Sequence, residues 1–391
     1  MKTKRTILAV IVLILALAVP ACGGESSGSL NRKKIIFVGC SYTYYGNIVH
    51  RGTLDVDIQN GVFRLADRVN DQAFFYQLCK ANGAEVQVTD WTYGGHDLTD
   101  LFDGSCAADR GCNGWDHLSY LTDLKYDYVV LQDITVPGVE TPEGYLQIVK
   151  DVMAVFKKAN SKTKFFYVIH DGVYTQHYPS CWKQAVRLIE QEGVTILDWG
   201  TLVWDVANGI TEVPGAAHEY NKQSFIISRT SADGYHPNQL SGYLFTLMTY
   251  SAITGTSAVG QPYEFCTADM DALNRFIKSK YAYDFKETPE DERVTNYVEI
   301  LTSAADMEGL QTLVDEYLKN PSKLTKDYTV RFVNEDGSPV QEKTYQYGDP
   351  VECEAPAKPG DTAGAYVFAG WDRAVTDCFG DTVYTAVYRK K

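Results

Sequence analysis

Between residues 33 and 260 the chain alternates short apolar runs with amphipathic stretches, and nothing else in it restricts the possible folds as strongly. Strand-like runs occupy 34–38, 85–90, 126–132, 164–169 and 194–197. Apolar residues at helical spacing mark 73–82, 144–159 and 178–192, with a further helix after Asn238. Strands alternating with amphipathic helices predict an α/β fold, a doubly wound parallel sheet covered on both faces. In such sheets ligands bind beyond the carboxyl ends of the strands. The residues following each run are therefore the candidates: Cys40-Ser41, Tyr93-Gly94-Gly95-His96, Gln132-Asp133 and His170-Asp171. A later polar turn, Ser231-Ala232-Asp233-Gly234-Tyr235-His236-Pro237-Asn238, opens the last helix of this region.

The stretch from Val38 to Asn47 reads VGCSYTYYGN. A tight turn straight off a β-branched strand suits the display of one small nucleophile at a sheet edge. A serine hydroxyl is a poor nucleophile until a base takes its proton. His236 is the candidate base, and Asp233 on the same turn can orient the imidazole and stabilise its charged form. Attack on an acyl carbon creates an oxyanion, for which the candidate donors are the backbone N–H of Ser41, the backbone N–H of Gly95 and the side-chain amide of Gln132. Glycine suits position 95, or 94 beside it, because the backbone must approach substrate with no Cβ between them.

These blocks resemble the SGNH hydrolases, also called GDSL-type esterases. Gly39-Cys40-Ser41 is similar to the family's G-x-S turn, Gly94-Gly95 to its second block, and Asp233-Gly234-Tyr235-His236-Pro237 to its D-x-x-H block. The resemblance covers about 33–260 and is most specific in D-G-x-H-P followed by N-x-x-G-Y. It implies a flavodoxin-like hydrolase domain, a Ser41-His236-Asp233 triad and no cofactor. The third block departs from the pattern: Gln132 stands where the family usually has Asn, which resembles a branch of the superfamily with Gln at this strand end.

Each residue has a plainer reading. Ser41 alone would pass for an ordinary turn serine, and it is the Asp233/His236 turn that favours the nucleophile. His96, His170, His177 and His218 read more readily as surface or core groups than as substrate contacts. The Cys40 side chain is expected to point into the fold. Tyr42, Tyr44, Tyr45, Trp91 and Tyr93 suit a core or a sugar-binding cleft equally.

The first residues predict export. Met1 to Arg5 is basic, 7–19 is continuously apolar but too short to span a bilayer, and small residues follow. The junction Val19-Pro20-Ala21-Cys22 resembles the bacterial lipobox, which implies a signal peptide over 1–22, lipidation at Cys22 and anchoring at the extracellular face of a membrane. An ordinary signal peptide cleaved near Ala21 is the alternative. The Gly- and Ser-rich residues 23–32 read as a flexible tether. A net charge of −14 without a basic cluster argues against nucleic acid, whose binding depends on phosphate neutralisation. Export permits disulfides, and Cys106 with Cys112 and Cys353 with Cys378 are the expected pairs. No CxxC or HExxH spacing occurs, so no metal site is expected.

From 261 to 325 the pattern turns helical, at 268–281 and 293–318, as an extension that packs on the hydrolase domain or acts as a spacer. Residues 326–391 are short alternating strands. Their segments YTVRFVNEDGSPV, YGDPV, FAGWD and YTAVY resemble the small β-rich repeat of bacterial surface proteins such as internalins, which implies a β-grasp-like domain for spacing or adhesion and a possible cell-surface ligand. The whole predicts a surface-anchored serine esterase acting on acylated carbohydrate or another ester. An acyltransferase on the same triad and a non-catalytic surface binding protein are the alternatives.

Overall fold

Five short strands form the central sheet: β1 (Lys34–Gly39), β2 (Gln87–Thr92), β3 (Tyr128–Gln132), β4 (Lys164–Val168) and β5 (Thr195–Leu197). All pair in parallel, as the alternating pattern predicts, and their order is β2-β1-β3-β4-β5. The structure is a computed structural model that describes residues 30–40, 42–43, 74–92, 98, 125–133, 141–169, 180–226, 237–267, 296–320, 323 and 326–391. The signal peptide, Cys22 and residues 23–29 of the tether lie outside the described residues. None of the described helices is long and apolar enough to cross a membrane.

Strands buried on both faces read as nearly continuous apolar runs, and β3 is buried throughout, with Gln132 at its end. Successive residues point to opposite faces. Ile35, Phe37, Val88, Val130 and Phe166 enter one core, while Ile36, Val38, Val129, Leu131 and Tyr167 enter the other. Helices α1 (Phe74–Ala81), α4 (Trp199–Ala207) and α5 (Gln239–Thr254) cover the first face, and α2 (Pro142–Ala159) and α3 (Ser180–Gln191) the second. Local signals place the α2 start: Thr141 caps it by accepting from Gly144 N, and Pro142 sits where a missing N–H is not needed. Helix α4 was not foreseen in the sequence, because Gly200, Thr201 and Val203 weaken its propensity and it is apolar almost all round. Burial decides it: eight of its nine residues are buried.

Helix α5 is buried on every side, which requires a cover on its outer surface. That cover is α6 (Asn296–Thr302) and α7 (Ala304–Lys319). Tyr297, Ile300, Leu310, Leu313 and Val314 join the same core as β1 and α5, so these two helices pack on the α/β body. The expected single helix over 293–318 breaks at Ser303, which caps α7 by accepting from Asp306 N. A Cβ on Gly309 would lie 2.2 Å from Pro214 O, so α7 lies directly on the loop after α4. The expected helix at 268–281 lies outside the described residues.

The C-terminal segment forms a second sheet of β6 (Asp327–Val333), β7 (Pro339–Gln346), β8 (Tyr366–Trp371) and β9 (Thr382–Lys390), in the order β7-β6-β9-β8. Its central pair β6/β9 is parallel and the flanking pairs are antiparallel. The sheet is docked on the body. Tyr347 is buried in the core beneath α2 and α3, and its hydroxyl donates to Asp205 of α4, which also accepts from Tyr317 and Lys323. Lys183 of α3 donates to Tyr347 O and pairs with Asp349 at 3.3 Å, and Arg187 pairs with Asp327 at 2.9 Å.

The expected Cys353–Cys378 bridge is not formed. Both cysteines contribute to one small apolar cluster as free thiols, but each sulfur is turned towards a nearby carbonyl, Glu354 O for Cys353 and Gly380 O for Cys378. Cys106 and Cys112 lie outside the described residues.

Candidate active site

In the order β2-β1-β3-β4-β5 the chain winds outwards in opposite directions from β1 and β3, and in such sheets the switch point at the carboxyl ends of these two strands is where ligands bind. Gly39 closes β1 at this point. A Cβ there would meet Thr43 Oγ1 at 2.1 Å, Gln132 O at 2.9 Å and Gln132 Oε1 at 3.1 Å, so the first residue of the G-x-S turn has to be glycine.

Beyond Gly39 the backbone curls, and Thr43 N donates to Cys40 O at 3.1 Å. Cys40 is fully buried and points into the fold, as the sequence predicts, with its thiol 3.5 Å from Gln132 Oε1. Thr43 is also fully buried and donates its hydroxyl to the same Oε1. Gln132 thus grips the turn from both sides of position 41. Its Nε2 donates to Asp133 O at 2.6 Å, and the side chain has no solvent exposure. The oxyanion role expected for this amide therefore rests on its second Nε2 proton alone.

Asp133, next along the chain, is nearly buried. Its Oδ1 accepts from Leu98 N at 3.2 Å, just past the Gly94-Gly95 block, and its Oδ2 accepts from Tyr145 OH at 2.8 Å. The Tyr145 hydroxyl lies 2.7 Å from that of Tyr167. Burial, reinforced by the Asp133 charge and by Tyr167, pushes Tyr145 well above its ordinary pKa, so it stays a hydroxyl donor at any working pH.

Ser41, Gly95, Asp233 and His236 lie outside the described residues. The chain resumes directly after His236. Pro237 bridges to Ile226, and Asn238 caps α5 by accepting from Ser241 N at 3.1 Å while donating to Ser224 O at 2.9 Å. Of the histidines considered, His96, His170 and His177 are likewise outside. His218 binds Asp306 Oδ2 at 2.9 Å, where it staples the loop after α4 to the start of α7. Among the described residues no group of His, Cys, Asp and Glu is placed to hold a metal ion. Trp91 is fully buried, which gives it to the core rather than to a cleft.

Thr43, Tyr145 and Tyr167 were missed in the sequence. Thr43 carried a signal, since a hydroxyl two residues after the candidate nucleophile lies within one turn of it. The tyrosines carried none, because their meeting depends on α2 packing against β4.

No protein-family model and no curated protein matches the sequence. Solved structures do. A DUF4886 family protein from Bacteroides uniformis is 14% identical with a TM-score of 0.40, over 75% of this chain and 96% of that one. A protein from Parabacteroides merdae described as a GDSL-like lipase is 18% identical with a TM-score of 0.36, over 58% and 98%. A family 2 carbohydrate esterase with a carbohydrate-binding domain, from Corynascus thermopiles, is 16% identical with a TM-score of 0.33, over 57% and 66%.

Proposed function

We propose that this chain is a surface-anchored serine esterase that removes O-acetyl or other short acyl groups from carbohydrate. The reading is carried by the turn after β1, tied to the end of β3 at the switch point of a parallel sheet, in a chain that also supplies Asp233-Gly234-Tyr235-His236-Pro237 ahead of α5. In this reading Ser41 Oγ attacks the acyl carbon while His236 takes its proton, and Asp233 orients and stabilises the imidazolium. The backbone N–H groups of Ser41 and Gly95 bind the oxyanion. Collapse breaks the bond to the sugar oxygen, which leaves with the proton from His236. Water, deprotonated by His236, then frees Ser41 and releases the acid. The leader-like first residues and the lipobox-like junction support the substrate half, because an enzyme anchored at a cell surface would meet polysaccharide esters.

The test is hydrolysis of p-nitrophenyl acetate and a series of longer acyl esters. Ser41→Ala and His236→Ala should each abolish turnover of a folded protein, and the double variant should fall no further, since nucleophile and base act as one unit. A Ser41→Ala protein working at the parent rate overturns the mechanism. Cys22→Ala should shift the protein out of the membrane fraction, and unchanged retention overturns the anchor.

A further inference from the structure

The side chains at the end of β3 do more than their place in the sequence implies. Gln132 Oε1 collects hydrogen bonds from Cys40 and Thr43, the neighbours on either side of the Ser41 segment. Asp133 takes the N–H of Leu98, three residues after Gly95 in the sequence, and the hydroxyl of Tyr145. Gln132, the last residue of β3, and Asp133 directly after it thus hold Thr43, two residues beyond the proposed nucleophile, and Leu98, three residues beyond the proposed backbone oxyanion donor. Both are almost wholly shielded from solvent, where such bonds meet no competition from water.

We propose that Gln132 and Asp133 form a clamp of positioning residues that sets the spacing between the Ser41 turn and the Gly95 loop, with Thr43 and Tyr145 as its buried counterparts. The proposal rests on the esterase reading. It gives Gln132 a different task from the Asn of the related pattern: the glutamine's oxygen is what matters, as acceptor from the turn, rather than an N–H aimed at substrate. Its longer side chain suits this, since Oε1 reaches across to Thr43 while Nε2 is steadied by Asp133 O at 2.6 Å. The Tyr145–Tyr167 pair backs Asp133 with a hydroxyl that does not ionise, a second buried bond on the same carboxyl group.

A clamp that sets geometry without touching substrate acts on kcat and leaves KM nearly unchanged, and a displacement of about 1 Å in a reacting group costs on the order of 100-fold. Thr43→Val keeps the shape and removes the donor. On p-nitrophenyl acetate it should lower kcat roughly 10- to 100-fold with KM within a few-fold, and Thr43→Ser should restore kcat to within a few-fold of the parent. The Thr43→Val/Gln132→Ala double variant should lose little more than Gln132→Ala alone, because both break the same bond. If Gln132→Ala is impaired while Thr43→Val turns over at the parent rate, the amide works at the oxyanion and the clamp is overturned. If Thr43→Val does not fold, Tyr145→Phe decides: a fall in kcat at constant KM supports the clamp, and an unchanged kcat overturns it. A parent without esterase activity, or a fully active Ser41→Ala protein, overturns the esterase reading and the clamp with it, an outcome distinct from failure of the clamp alone.

Discussion

Strands of the α/β body, three to six residues long, and strands of the C-terminal sheet, six to nine residues long, differ most in what covers them. All of β3 is buried between two helical layers, whereas no residue of β7 is fully buried. The body's sheet divides two large apolar clusters. The C-terminal sheet has one small cluster of its own, centred on Phe332, which stacks on Tyr384 at 5.0 Å and leans on Trp371 at 4.7 Å. A sheet with so little buried area gains stability from its surroundings. Tyr347 supplies that link by entering the body's core and binding Asp205. The difference teaches that the body is held by burial on two faces and the C-terminal sheet by one aromatic cluster and its dock.

The largest test of this contrast removes a core residue from each region. Phe332→Ala should cost about 3–5 kcal/mol and melt the C-terminal sheet while the body's transition stays in place. Leu310→Ala, in the body, should cost about 2–5 kcal/mol and lower the other transition. Calorimetry reads both, and a single transition that moves with either variant breaks the comparison.

Next in size is an opposite response to pH. Burial pushes the carboxyl of Asp198, the cap of α4, up to about 7 from its ordinary 3.8. The neutral form is the one that suits the fold, so its contribution is complete below the ordinary carboxylate range and is lost as pH rises through about 7. Asp198→Asn keeps the capping oxygen, and its stability should exceed the parent's increasingly from about pH 4 to pH 8, by up to about 4 kcal/mol. The C-terminal sheet reverses the sign. Asp361 accepts from Ala365 N at 2.9 Å and Tyr366 N at 2.8 Å, which hold its carboxyl below the ordinary value. Its contribution is present above that value and is lost on acidification. Melting curves against pH that slope the same way for both regions would defeat the contrast.

The smallest effects concern the dock. Tyr347→Phe removes one hydroxyl from Asp205 and should weaken docking by about 1–2 kcal/mol, read as faster proteolysis between α7 and β6. Arg187→Ala, which breaks a partly exposed pair with Asp327, should cost less than about 1 kcal/mol. Equal sensitivity to both would remove Asp205 from the centre of the interface.

The sequence determined the layers. Five apolar runs separated by amphipathic stretches can bury themselves only as a parallel sheet between helices, and the positions after β1 and β3 follow from that winding. It also marked Gly39 as the first residue of a G-x-S turn, and the structure supplies the reason, since a Cβ there would lie 2.9 Å from Gln132 O. Tertiary structure alone decided what periodicity cannot express. Helix α4 forms despite weak local propensity because both its sides are buried. Helices α6 and α7 belong to the body because α5 needs a cover. Cys353 and Cys378 share a cluster without bonding because their sulfurs face different carbonyls. Gln132 and Asp133 were legible as residues at a strand end. That they reach Thr43, Leu98 and Tyr145 was not, because these partners lie far away in the chain or on the far side of a turn, and only the packed sheet brings them within hydrogen-bonding distance.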